Sequence, residues 1–151
     1  MRRFQFRLER VLKWKQQRER LAELRQQQAR VILDAALAQV EQLASQIQQT
    51  AADLEQRGVA SQSASVWLAC YQHTAQLGQA LEQAEGKVRQ VERQLQQANA
   101  ARARIATEVE SLQLLKRQQW QEHRRQRQRL EQTELDEAGM NQWLREQQGD
   151  G

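Results

Sequence analysis

The fold is decided by residues 77–112, which read LGQALEQAEGKVRQVERQLQQANAARARIATEVESL. Small or apolar side chains recur in this stretch at alternating steps of three and four residues, with one polar lapse at Arg102. The positions are Leu77, Leu81, Ala84, Val88, Val91, Leu95, Ala98, Arg102, Ile105, Val109 and Leu112. This spacing is the a/d heptad pattern of a coiled coil. The stretch therefore predicts a long helix that packs against another helix.

A second series with the same spacing precedes it: Ala29, Leu33, Ala36, Val40, Leu43, Ile47, Thr50 and Leu54. Between the two series lies a cluster of turn-forming residues that starts at Gly58 and runs to Ser65. Glycine suits the left-handed position just past a helix end, and Ser61 or Ser63 can cap the next helix. A short turn makes two long helices antiparallel neighbours. The predicted fold is all-α, a long antiparallel coiled-coil hairpin of two helices.

The register of this hairpin can be checked by arithmetic. If the chain folds about residue 62, the numbers of facing residues sum to about 124, so Leu33 faces Val91 and Val40 faces Ala84. An a position then meets a d position in each pair, as antiparallel packing requires. We expect a single domain with helix one at about 4–57, a turn at about 58–64, helix two at about 65–147 and a disordered tail at 148–151. Helix two then overhangs helix one by roughly 25 residues.

The composition supports long helices. The 151 residues include no proline and seven aromatic residues, and the mean hydropathy is −0.93. A single proline inside a helix costs about 3 kcal/mol. Disorder is the competing interpretation of so polar a chain, and the regular apolar spacing argues against it. The lone Cys70 excludes an internal disulfide, and neither a membrane span nor a signal peptide is evident. We therefore expect a soluble cytoplasmic protein.

Positive charge is concentrated in two stretches. Residues 1–30 hold ten Lys or Arg against three Glu, and residues 116–129 hold six against one. The hairpin would bring both stretches to its open end. That end could be a solvated face, a nucleic-acid surface, or a segment that fits a partner socket with an acidic rim. Arginine, which suits bidentate contacts with carboxylates, dominates the basic residues, and no groove-reading motif is present. A protein partner is favoured, and no nucleic acid is expected.

Catalytic chemistry is not indicated. His73 and His123 are far apart in sequence, and together with Cys70 they do not form a metal site. Gly78 and Gly86 are isolated within a helical pattern, so no phosphate-binding loop is predicted. A pair of helices offers no concave pocket that would exclude water. We expect no enzyme activity, no cofactor and no metal.

Two short motifs are more specific than the heptads. The first is the opening, Phe4-Gln5-Phe6-Arg7-Leu8-Glu9-Arg10-Val11-Leu12, and the second is Gly58-Val59-Ala60-Ser61 followed by Trp67 and Tyr71-Gln72. Together they resemble the FliJ family, the small coiled-coil proteins of the bacterial flagellar type III export apparatus. Leu115-Lys116-Arg117-Gln118 and Leu135-Asp136-Glu137 also fit this family.

The resemblance implies a stalk or adaptor that links the hexameric flagellar export ATPase to the membrane export gate protein and escorts export chaperones. It implies a cytoplasmic location, peripheral to the inner membrane at the flagellar base, and a monomeric hairpin is expected. The implied ATPase-facing residues are Phe4, Phe6, Arg7, Leu8, Lys116, Arg117, Arg124, Arg125 and Arg127. The implied gate-facing residues are Trp67, Tyr71, Gln72, His73 and Leu77.

Other interpretations stay open at this point. Trp67 and Tyr71 could instead seal the hairpin tip by packing onto Leu54 and Cys70. The equivalent stalk of a virulence type III secretion system would have the same shape. A basic coiled coil that binds nucleic acid or scaffolds a filament is an alternative of a different class. So is a coiled coil in which each helix pairs with a second copy of the chain.

Overall fold

The computed structural model describes residues 2–58 and 63–149, and most of these residues form two long helices. Helix α1 spans Glu9–Arg57 and helix α2 spans Ala64–Gly149, with lengths of 49 and 86 residues. The helices pack against each other, and the described residues contain no strand. The predicted all-α hairpin of two antiparallel helices is confirmed.

The heptad positions line the contact between the helices. We call these positions the seam, and every seam residue predicted from Ala29 to Leu54 and from Leu77 to Leu112 is buried or half-buried. The seam of α1 also continues towards the N-terminus with unbroken three-four spacing through Gln26, Ala22, Glu19, Lys15, Leu12 and Leu8. None of these residues is classed as exposed. The coiled coil therefore includes polar seam positions that the apolar pattern did not show.

The chain divides into two packed units. The terminal unit consists of Met1–Glu19 and Ile105–Gly151, and the central unit consists of Arg20–Arg104. In the central unit, Nη2 of Arg102 lies 2.9 Å from Oε1 of Glu23. In the terminal unit, Nζ of Lys116 lies 2.8 Å from Oε2 of Glu9. The residue numbers in each pair sum to within a unit or two of 124, which agrees with the predicted register.

Helix α1 begins later than the sequence predicted. Residues 4–6 are not helical, and the amide of Glu9 donates to the carbonyl oxygen of Phe6 over 3.1 Å at the start of the helix. Phe4 and Phe6 are two residues apart, so on a helix they would point about 200° apart and could not share one packing face. Outside the helix, Phe6 is buried and Phe4 packs against the same cluster. This correction of the predicted start near residue 4 follows from the packing of both rings on one cluster.

The ends of the helices next to the turn follow the predicted chemistry in part. Gly58 has a φ of 73°, the left-handed conformation expected just past a helix end, and α1 ends at Arg57. Ser63 precedes α2, and its carbonyl accepts from the amides of Val66 and Trp67. Its hydroxyl pairs with that of Ser65 at 3.1 Å. The other suggested cap, Ser61, lies outside the described residues.

Beyond His123, α2 continues without burial. Every residue from 124 to 149 is helical and exposed. This is the predicted overhang, and we call residues 124–149 the exposed segment. Gln148 and Gly149, which were expected to begin a disordered tail, belong to α2. Residues 150–151 lie outside the described part of the chain.

Candidate partner-binding surfaces

The terminal unit is organised by a hydrophobic cluster. Phe6, Leu12 and Val109 are buried at its centre. The partly buried side chains packed around them are Phe4, Leu8, Ile105, Leu112 and Leu115. Three of the implied ATPase-facing residues, Phe4, Phe6 and Leu8, therefore contribute to packing. Phe6 is only 7% exposed, so any partner would meet its neighbours before its ring.

Charged and aromatic side chains surround this cluster. The rings of Phe4 and His123 lie 5.6 Å apart, which brings the chain start against α2 close to where the exposed segment begins. Lys15 pairs with Glu108 across the two helices. A shallow groove beside these contacts is lined by Phe4, Leu12, Gln16, Gln113, Lys116, Arg117 and Trp120. The groove is open to solvent. Its lining combines apolar side chains such as Leu12 and Trp120 with the basic residues Lys116 and Arg117.

The basic residues implied to face the ATPase differ in their exposure and in the contacts that they make. Arg7, Arg117, Arg124 and Arg125 are exposed, whereas Lys116 is half-buried in its ion pair with Glu9. The guanidinium of Arg124 lies 5.4 Å from the centre of the Trp120 ring, a cation–π contact that orients it. Arg127 is exposed but donates from Nε to Glu131 over 3.0 Å along the same helix.

The exposed segment keeps apolar residues at the heptad positions of the seam, although no residue in it is buried. Leu130, Met140 and Leu144 keep the three-four spacing that runs through His123, and they are 53%, 63% and 43% exposed. Its charge changes sign along its length. Residues 124–129 hold four Arg and no acid, whereas residues 131–146 hold five acidic side chains and Arg145. The segment is a helix with unused apolar positions, basic in its first part and acidic in its second.

The central unit contains the residues implied to face the export gate. Tyr71 is 74% exposed, and Gln72 and His73 are exposed beside it. Trp67 is half-buried, and the seam residue Leu77 is 9% exposed and belongs to the core. Leu77 is therefore a packing residue and Trp67 is partly covered, whereas burial does not account for Tyr71. The available surface is the patch formed by Tyr71, Gln72 and His73.

A polar layer in the central unit was missed by the sequence reasoning. Gln26 is buried at a seam position and hydrogen-bonds to both Asn99 and Arg102. Arg102 also donates to Glu23, so the layer crosses between the helices at several points. Among the described residues, every buried side-chain nitrogen and oxygen atom has a hydrogen-bond partner. The lapse at Arg102 was visible in the heptads, but its partners more than 70 residues away were not.

The described residues offer no metal-binding group. No cluster of three or more His, Cys, Asp or Glu lies close enough within residues 2–58 and 63–149 to hold an ion. In the same part of the chain, neither helix has a stretch that is long and apolar enough to cross a membrane.

These features define a two-helix coiled-coil protein with distinct basic and aromatic surfaces. The chain belongs to the FliJ family, because the family model of the flagellar FliJ protein matches residues 4–148. Membership implies a role related to flagellar export. No protein with curated annotation and no solved structure shows significant similarity to the chain. The resemblance read from the opening and from the segment after the turn is confirmed.

Proposed function

We propose that the chain is a non-enzymatic stalk or adaptor of the flagellar type III protein export apparatus. In this role it links the hexameric export ATPase to the membrane export gate protein and escorts export chaperones. It works in the cytoplasm, at the inner membrane beneath the flagellum. The observation that carries the proposal is the exposed segment, which extends helix α2 beyond its contact with α1 and keeps apolar seam positions open.

The exposed segment suits insertion into a socket. An isolated polar helix is marginal in water, so a helix of this length gains stability when a partner covers its apolar positions. Arg124 and Arg125 are exposed and can form bidentate contacts with carboxylates. The basic part precedes the acidic part along the helix. We therefore expect the socket of the ATPase to carry an acidic rim that faces residues 117–129 rather than the end of α2.

The second contact of the adaptor uses the patch formed by Tyr71, Gln72 and His73. Tyrosine is enriched at protein interfaces because it joins a large apolar ring to a polar hydroxyl. Its 74% exposure leaves the Tyr71 ring available to the export gate protein. Tyr71→Ala should weaken gate binding while ATPase binding stays unchanged. If Tyr71→Ala weakened both gate binding and ATPase binding, or neither, the result would argue against separate contact surfaces.

The ATPase contact is tested by charge reversal. Arg124→Glu combined with Arg125→Glu should weaken binding to the purified export ATPase by at least about tenfold and lower its stimulated hydrolysis. The matched control is Arg89→Glu with Arg93→Glu, two exposed arginines of the central unit that change the net charge equally. Circular dichroism should show equal helicity for all three chains. Equal loss in both variants, or loss in neither, would contradict the proposed contact.

A further inference from the structure

Helix α1 carries a second apolar stripe that does not face α2. It comprises Leu21, Leu24, Val31 and Ile32, and we call it the outer stripe. These side chains are 48%, 54%, 68% and 48% exposed, although the seam residues between them are buried or half-buried. Leu24, Gln27, Gln28, Val31 and Ile32 line a shallow groove on it. All of these residues lie within the central unit.

The spacing of the outer stripe indicates the shape of its occupant. Leu21, Leu24 and Val31 belong to a series with alternating steps of three and four residues, and Ile32 lies beside it. The series is Leu21, Leu24, Gln28, Val31, Ala35 and Ala38. This repeat keeps one face aligned with a neighbouring helix over several turns. A strand or an irregular loop would not match it. The stripe therefore fits a helix laid alongside α1.

The charges beside the outer stripe indicate the chemistry of that helix. Arg20 and Arg25 are exposed and lie on opposite flanks of the stripe by helical geometry. Within residues 20–32 the one acidic side chain is Glu23, and it is held by Arg102. Asp34 lies beyond this stretch, towards the other end of the stripe. The flanks at Leu21 and Leu24 are consequently positive.

We infer that the outer stripe binds an amphipathic helix of a partner protein whose apolar seam is flanked by acidic side chains. Leu21, Leu24 and Val31 contact the apolar seam of that helix, and Arg20 and Arg25 meet its carboxylates. The surface is separate from the proposed ATPase contact, which lies within residues 117–149. The two proposals can therefore fail independently.

The test uses a dye-labelled synthetic helix of about four heptads with Leu at a and d and Glu at e and g, and a matched peptide with Lys at e and g. Fluorescence anisotropy with the full-length chain should show binding of the Glu peptide at physiological salt. Leu24→Gln with Val31→Gln should weaken it by at least about tenfold. The control is Leu114→Gln with Leu135→Gln, residues whose exposures of 53% and 68% match those of the tested pair.

Charge variants complete the test. Arg20→Glu with Arg25→Glu should weaken binding of the Glu peptide and strengthen binding of the Lys peptide, whereas Arg89→Glu with Arg93→Glu, two exposed arginines of α2, should change neither. Equal affinity for the two peptides in the unmodified chain would overturn the inference. So would unchanged binding in Leu24→Gln with Val31→Gln. A dimer by light scattering that this same pair dissociates would also overturn it, because the occupant would then be a second copy.

Discussion

Half of the buried residues in the described part of the central unit are alanines, whereas the buried residues in that of the terminal unit are all larger apolar side chains. The buried residues of the central unit are Ala22, Ala36, Leu77, Ala84 and Val91, with Gln26 in a polar layer. Those of the terminal unit are Phe6, Leu12 and Val109. The alanine layers distribute the buried area of the central unit over many helical turns. In the terminal unit, most of the buried area comes from a few large side chains. Truncating a single buried side chain should therefore lower the free energy of unfolding more in the terminal unit than in the central unit.

The largest expected effect is the loss of Phe6 from the terminal unit. Phe6→Ala removes a ring that is 7% exposed and should cost about 3–5 kcal/mol in the free energy of unfolding. Urea unfolding measures the cost, and amide hydrogen exchange locates it at residues 9–16 and 105–116. Trp14→Ala is the control, since Trp14 is 50% exposed and should cost much less. Equal costs for the two variants would show that the cluster does not organise the unit.

Truncation in the central unit should cost less. Val91 is 5% exposed, and Val91→Ala removes two methyl groups, which corresponds to about 1.5–2 kcal/mol. Urea unfolding under the same conditions as for Phe6→Ala gives the comparison directly. If Val91→Ala lowered the free energy of unfolding as much as Phe6→Ala, the proposed difference between the two units would be contradicted.

Replacing two glycines by alanine should change the stability of the chain in opposite directions. Gly58→Ala places a side chain at a φ of 73° and should destabilise the chain by about 1 kcal/mol. Gly78 lies inside α2 with no atom within 4 Å of an added Cβ, so Gly78→Ala should stabilise by up to about 1 kcal/mol. Gly139→Ala should raise the helicity of the exposed segment alone. Thermal unfolding and circular dichroism measure these shifts, and equal signs at Gly58 and Gly78 would contradict them.

The smallest change in stability is expected at the polar layer. Gln26→Leu with Arg102→Leu replaces hydrogen-bonded polar groups by apolar ones, so the free energy of unfolding should change by no more than about 1 kcal/mol. The register should become less well defined, because a buried polar pair penalises slipped pairings. Spin labels on α1 and α2 of a Cys70→Ala chain would show a broader distance distribution. A large loss of stability with a sharp distribution would contradict this role.

The sequence predicted what depends on apolar periodicity. The two heptad series gave the antiparallel pair and its register, and Gly58 gave the end of α1. Lys15, Glu19 and Gln26 were missed as seam positions because polar side chains do not appear in an apolar pattern, and the cross-helix partners that Lys15 and Gln26 find lie far along the chain. The nonhelical start at Phe4 was missed because heptads carry no information about a segment that leaves the helix to pack.

The candidate surfaces were predicted less completely than the fold. The exposed segment and its arginines followed from the register and the charge distribution. Burial of Phe6 and Leu77 required the structure, because a family resemblance does not separate packing residues from contact residues. The outer stripe was overlooked because a stronger heptad on the same helix dominated the pattern.

Hydrogen exchange of the chain, alone and with the hexameric export ATPase, tests the central claim most directly. The free chain should show strong protection at the seam of both units and weak protection over residues 124–149, where the helix lacks tertiary contacts. The ATPase should raise protection over residues 117–149 and leave the patch formed by Tyr71, Gln72 and His73 unchanged. Protection that is unchanged at the exposed segment, or that rises at the Tyr71 patch instead, would contradict the proposal.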